Sequence, residues 1–280
     1  MDEKNDVVSI RESDGNIVKL EVCSALESTA ARAKELARDG YPDRYVVFTD
    51  KRKLGEDGSV EHGMYMSLLL RPSLFPSQAP LLGALSATAM VTALEEHTTN
   101  RLGIGWVSDV YCEGVRIGAA TIEGKLDNYT TYEYIIITFA VRLDEDNFPP
   151  RLTDMVRQVF ESENTSISMI IARNVLSKFF RYYSNLKTSS RFMDIYAKKF
   201  ILRGVRVKYT KDQKRKTYRI AGVDGATGAL VLERRGELAI HVTSPTGVQM
   251  PKRVRLKKER IPKADKKGKR DHDINNEEKA

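Results

Sequence analysis

The chain has 280 residues, 41% of them hydrophobic and 30% charged, enough apolar material for one sizeable core and a small satellite domain. No stretch approaches the ~20 consecutive apolar residues that cross a bilayer, and the start MDEKNDVVSIRESDGN lacks the basic-then-apolar pattern of a secretory signal. A cytoplasmic protein with no membrane partner is therefore expected. The net charge of +8 raises the question of a nucleic-acid partner, so its distribution matters. Residues 252–280 hold twelve Lys and Arg against six Asp and Glu, and the remaining 34 basic and 32 acidic residues nearly cancel. That terminal run is poor in apolar residues, cannot offset its own ordering entropy by burial, and reads as a disordered basic tail. Cys23 and Cys112 lie far apart without metal-ligand spacing and read as free thiols.

Along the chain, residues 1–16 are polar and read as a flexible lead-in, followed by a strand in IVKLEVC. Ser24 to Asp39 reads as a helix, with Ser28 and Thr29 as caps near its start and Gly40 as its stop. RYVVFT and MYMSLLLRP read as strands joined by a loop, KLGEDGSVEHG. Pro80 opens a second helix reaching about His97, with Leu81, Leu85, Thr88 and Val91 at helical spacing. IGWVSDVYC and VRIGAATIE read as two strands closed by Glu113-Gly114, and YEYIIITFAVRL as a strand buried on both faces. Helices are expected over 151–161, 166–186 and 191–199. After Leu202, GVRVKYT, TYRIAGV, ALVLERR and LAIHVTS are short strands between charged or Gly-bearing turns, the pattern of a small SH3-like barrel.

No Walker loop, GxGxxG or HExxH is present. Four segments, in order from about Val18 to Pro251, carry a resemblance instead. ESTAARAKELARDG resembles an STNxxA helix start, with Ala30 where Asn is usual; GMYMSLLLRP is close to GLYLSLLLRP. GWVSDVYCEGVRIGAATIEG resembles KWPNDVLVDGRKLAGILVE and keeps Trp106, Asp109, Gly114 and Glu123. LRGVRVKYT with IAGVDGATGALVL resembles GxxV and AxGIDxxGAL. Together these segments resemble the biotin protein ligase family in its short form, without a DNA-binding head. The resemblance implies an α/β fold, with a mixed, mainly antiparallel sheet flanked by helices, similar to class II synthetases. That domain would span 17–201, the SH3-like domain 202–251 and the tail 252–280.

The resemblance also implies chemistry. Biotin would be activated by ATP to an adenylate and passed to a lysine of a biotin carboxyl carrier domain. Ser28 and Thr29 would hold the biotin head, and Gly63, Met64, Tyr65 and Ser67 would wall its slot. Lys51, Arg52, Lys53 and Arg116 would contact the phosphates. Trp106 would stack near adenine or line the slot, and Asp109 would anchor the hairpin or a magnesium-bound phosphate. Arg116 and Asp109 are thus the candidate catalytic residues. Operator DNA is not expected, and a homodimer is left open.

Several positions depart from the family pattern. The GRGRxGR loop is replaced by the unlike, acid-bearing KRKLGEDGSVEHG; the usual Lys is Arg116; Gly118-Ala119 inverts Ala-Gly; GxGxN becomes the five residues from Thr138 to Arg142. Arg is not interchangeable with a point-charge ammonium. Two other readings therefore stay open, a non-catalytic paralogue that binds biotin or a carrier protein, and a lipoate or octanoate ligase of the same fold. Cys112 as an acyl-accepting nucleophile lacks a histidine placed to activate it.

Overall fold

Side chains alternate across the larger of two sheets, and its two faces are finished differently. The structure, a computed structural model, describes residues 6–12, 14–55, 57–127, 130–142, 166–184, 186, 191–211, 213–251 and 253–254. In spatial order the eight strands are β1 (Asp6–Arg11), β2 (Ile17–Val22), β3 (Tyr45–Lys53), β4 (Val60–Leu70), β8 (Tyr132–Arg142), β7 (Val115–Leu126), β6 (Asp109–Cys112) and β5 (Leu102–Gly105). β2 and β3 pair in parallel, which requires a crossover; α1 (Thr29–Arg38) supplies it. The other pairs are antiparallel, so the mixed, mainly antiparallel sheet is as expected.

One face is the main core. Met64, Met66 and Leu68 of β4 and Ile135, Ile137, Phe139 and Val141 of β8 are buried there. They lie under α2 (Ala79–Leu94), α3 (Ile167–Tyr183) and α4 (Arg191–Lys199). Each such side chain is worth roughly 1.5–3 kcal/mol on burial. α2 is apolar on nearly all sides because the sheet covers one side while α3 and α4 cover the other. With its preceding turn it is long and apolar enough by composition to cross a bilayer, yet it is mostly enclosed by the fold. Gly83 lets it approach the turn between β5 and β6, since a Cβ there would overlap the Val107 side chain. The opposite face carries a smaller cluster, in which Ala33, Leu36 and Ala37 of α1 cover Tyr45, Val47, Leu69 and Ile136.

The second sheet comprises β9 (Arg206–Lys211), β10 (Lys214–Val223), β11 (Leu230–Glu233), β12 (Ile240–Val242) and β13 (Val248–Gln249), in the order β12-β11-β10-β9-β13. All its pairs are antiparallel. Val207, Tyr218, Ile220, Leu230 and Leu232 turn inward and join the main core. The segment expected as an SH3-like barrel thus forms a five-stranded antiparallel sheet.

Differences from the sequence-based expectation lie elsewhere and have local causes. Asp6–Arg11, expected as a loose lead-in, pairs with β2 as an edge strand. IGWVSDVYC is two strands, β5 and β6, which fold back on each other through residues 106–108. The loop expected over 53–63 shrinks to 54–59, because β3 and β4 stay paired out to Lys53 and Val60. α1 starts at Thr29 because Leu26 is held in extended backbone beside β3: its N–H donates to Lys51 O at 3.2 Å and its carbonyl accepts from Lys53 N at 2.9 Å. The expected helix over 151–161 and all but residues 253–254 of the expected tail lie outside the described residues. The tail's start is strand-bridged, with Arg253 opposite Val115 and the Val254 N–H donating to Gly114 O at 2.8 Å.

Candidate functional site

The face of the larger sheet under α1 is covered only in part. Beyond the first turn of α1, a strip of small side chains is left: Ser67 on β4, Thr138 and Ala140 on β8, Ala119 and Thr121 on β7. The register Ser67↔Thr138, Thr121↔Thr138 and Ala119↔Ala140 places them side by side. Ala119, Thr138 and Ala140 are half-buried and Thr121 is exposed, so the strip is the floor of an accessible trough.

Backbone pairing of Cys23 and Leu26 with β3 brings the start of α1 onto this floor. Ser28 caps the helix by accepting a hydrogen bond from Ala31 N at 3.1 Å. Thr29 turns inward, its Oγ1 2.8 Å from Ser67 Oγ, which in turn lies 2.8 Å from Thr138 Oγ1. Three hydroxyls offer three protons, and the two bonds between them use two. The chain therefore keeps one donor and spare lone pairs, and Thr138 is its member that meets the trough.

Charged pairs frame the floor. Lys34 of α1 reaches across to Glu123 of β7. At the other end Glu61 accepts from Arg52, from the Tyr65 hydroxyl at 2.8 Å and from Arg142 at 3.3 Å. The Arg52 guanidinium also lies over the Tyr65 ring, 5.3 Å from its centroid. On the far side Arg116 clamps Asp109 Oδ1 through two nitrogens, each at 2.8 Å. The Asp109 side chain is 16% exposed, and burial raises its carboxyl pKa while Arg116 opposes the rise. Burial beside Asp109 likewise pushes the Tyr111 hydroxyl up to about 12.

The expected site residues divide between the trough and other parts of the fold. Ser28, Thr29, Gly63, Tyr65, Ser67, Arg52, Asp109 and Arg116 fall at the trough or its rim. Gly63 is demanded by the pairing, because a Cβ there would sit 2.5 Å from Val141 O. Met64 is a correction: alternation turns it to the opposite face, fully buried in the main core. The basic run splits for the same reason, Arg52 facing the trough while Lys51 and Lys53 are exposed on the other side of the strand. Trp106 is a second correction. It is 2% exposed and its indole N–H donates to Gly228 O at 2.9 Å, so it ties the β5–β6 turn to the second sheet instead of offering a face to a base. Cys112 is buried and its thiol is pushed up to about 11, unsuited to nucleophilic attack. Glu61, Lys34 and the hydroxyl role of Thr138 were missed; counting by twos from Ser67 along β4 would have placed Glu61 on this face. Phe139 does not obstruct the trough, for it points into the core against Phe179, ring centroids 5.9 Å apart.

No protein-family model matches the chain. Among curated proteins it is 27% identical over 172 residues to the bifunctional ligase/repressor BirA of Bacillus subtilis (strain 168), covering 58% of this chain and 53% of that one. The chain thus spans about half the length of the curated relatives it matches. Among solved structures, the apo biotin protein ligase of Aquifex aeolicus superposes with a TM-score of 0.60 at 17% identity, over 82% of this chain and 97% of that one. The chain is a relative of the biotin protein ligases. The Aquifex aeolicus ligase in complex with biotin and ATP gives a TM-score of 0.59 at 18% identity, with 82% and 97% covered. A biotin protein ligase-like protein of unknown function from a Silicibacter species gives 0.57 at 14%, with 81% and 94% covered. At these identities the structural likeness establishes the biotin protein ligase fold, and the trough lies in this chain's own residues.

Proposed function

We propose that this biotin protein ligase relative activates biotin with ATP and transfers it to a lysine of a biotin carboxyl carrier domain. The observation that carries the reading is the order of groups on one sheet face: buried hydroxyls, then a small-residue floor, then guanidinium groups. A neutral polar head fits the hydroxyl end, an apolar body fits over Ala119 and Ala140, and a carboxylate and phosphates fit the cationic rim.

In the first step a biotin carboxylate oxygen attacks the α-phosphorus of ATP and pyrophosphate leaves. In the second a carrier lysine amine attacks the adenylate's carbonyl carbon and AMP leaves. Thr29, Ser67 and Thr138 orient the head, Tyr65 walls the slot, and Arg116, Arg142 and Arg52 offset charge on the phosphates. Among the described residues no group of three or more His, Cys, Asp or Glu could hold a metal. Magnesium commonly takes one or two carboxylates together with phosphate oxygens, and Asp109 fits as that single protein ligand. A magnesium ion there would supply further charge neutralisation.

One observation favours a second reading, binding without catalysis. Arg52, Arg142 and Arg116 are each already bonded to a carboxylate, so a nucleotide must compete with Glu61 and Asp109. Pyrophosphate release from ATP in the presence of biotin separates the two. Release that depends on biotin supports the ligase; biotin binding in calorimetry with no release overturns it in favour of the binding protein.

A further inference from the structure

The chain's basicity is not confined to its last residues. Residues 202–251 hold 10 Lys and Arg against 4 Asp and Glu, whereas residues 1–201 hold 24 against 28. The second sheet is where that surplus becomes a surface. Alternation turns Val207, Tyr209 and Tyr218 toward the core side and leaves Arg206, Lys208 and Thr210 of β9 with Arg215, Thr217 and Arg219 of β10 exposed on the outer face.

Register makes this a lattice. Arg219 lies directly opposite Arg206, Thr217 opposite Lys208, and Arg215 opposite Thr210, with Gln249 of β13 on the far side of Lys208. Like charges directly opposite each other in an antiparallel pair destabilise it. The fold nevertheless keeps two arginines there, and among the described residues no ion pair is recorded for Arg206, Lys208 or Arg219. Among the described residues, Glu233, across from Arg219 on the next strand, is the acid that shares this face.

We propose that this outer face binds the phosphate backbone of a nucleic acid. Its chemistry separates that occupant from an acidic protein. Protein interfaces centre on buried aromatic and apolar anchors with charge depleted, and here both tyrosines point the other way. Arg, Lys and Thr are the side chains that contact phosphate oxygens, and they carry no base recognition. The surface therefore holds DNA or RNA without sequence preference, and it is separate from the trough and from any operator-reading element.

The test is fluorescence anisotropy of the full chain with a labelled random-sequence 20-mer duplex, titrated between 50 and 200 mM salt. Micromolar binding that weakens steeply with salt is expected. The variant R206Q/K208Q/R219Q, with an unchanged melting temperature, should lower the slope of log K against log salt by about 2 to 3. A control that removes the same charge elsewhere, K19Q/R38Q/K198Q, should leave the slope unchanged. No duplex binding, equal effects of the two triple variants, or tighter binding of poly-glutamate than of the duplex would each overturn the proposal.

Discussion

Thr29 Oγ1 and Ser67 Oγ lie 2.8 Å apart across 38 residues of chain, joining the first turn of α1 to the middle of β4. Ser67 is fully buried and also meets Thr138, so it is the central link of the hydroxyl chain. Ser67→Ala should leave both neighbours without their partner, and a buried polar group so stranded costs about 1–3 kcal/mol. Biotin affinity by calorimetry should fall by about 10- to 100-fold, with a lower melting temperature. Thr138→Val, nearer the trough, should weaken biotin while barely moving the melt. Unchanged biotin affinity in both variants would remove the hydroxyl chain from the site.

Glu61 gathers Arg52, Arg142 and the Tyr65 hydroxyl. If those cations serve phosphates, the Glu61 carboxylate competes with them. Glu61→Gln keeps the shape and removes the charge, and ATP affinity should rise by about two- to fivefold, the range of a partly exposed ion pair. A fall in ATP affinity instead would make Glu61 a group that positions the arginines.

Asp109 titrates above its ordinary value of 3.8 because burial outweighs the pull of Arg116. The folded chain then holds this proton more tightly than the unfolded chain does. The contribution of Asp109 to stability accordingly declines as pH rises from below 3.8 through the folded value, and stays diminished above it. Asp109→Asn should flatten the curve of unfolding free energy against pH in that window. Carbon-13 NMR of the carboxyl group should show a midpoint above 3.8; one below it would mean that Arg116 dominates.

Trp106 donates to Gly228 O from a fully enclosed position. Trp106→Phe should cost about 1 kcal/mol in denaturant unfolding and leave ATP affinity in calorimetry unchanged. A tenfold loss of ATP affinity at unaltered stability would restore the stacking role.

Much of this molecule is legible in its residues. Most strand runs, the cap at Ser28 and the change of pattern after Leu202 are local signals, set by side-chain periodicity and capping chemistry, and they appear where expected. The helix, however, begins at Thr29 and not at Ser24, and IGWVSDVYC divides into two strands. Segment order from Val18 to Pro251 carried the resemblance, and Ser28, Thr29, Ser67, Asp109 and Arg116 followed from it. Periodicity also held the answer for Met64, because a strand cannot point two adjacent side chains to one face.

What no local pattern contains is which groups distant in the chain meet. Glu61 finds Arg142 only because β4 and β8 pair across some 80 residues, and Trp106 is enclosed only because the second sheet docks on the β5–β6 turn. The basic run from Lys51 to Lys53, expected to contact the phosphates as a group, is held in a ribbon by pairing with β4, which sends alternate cations to opposite sides. The sequence alone determined the elements and the direction each side chain takes from its own strand or helix, since backbone geometry sets that within a few residues. The tertiary structure alone decided which charges are paired and which hydroxyls are buried, since desolvation and partner choice depend on contacts made across the whole fold.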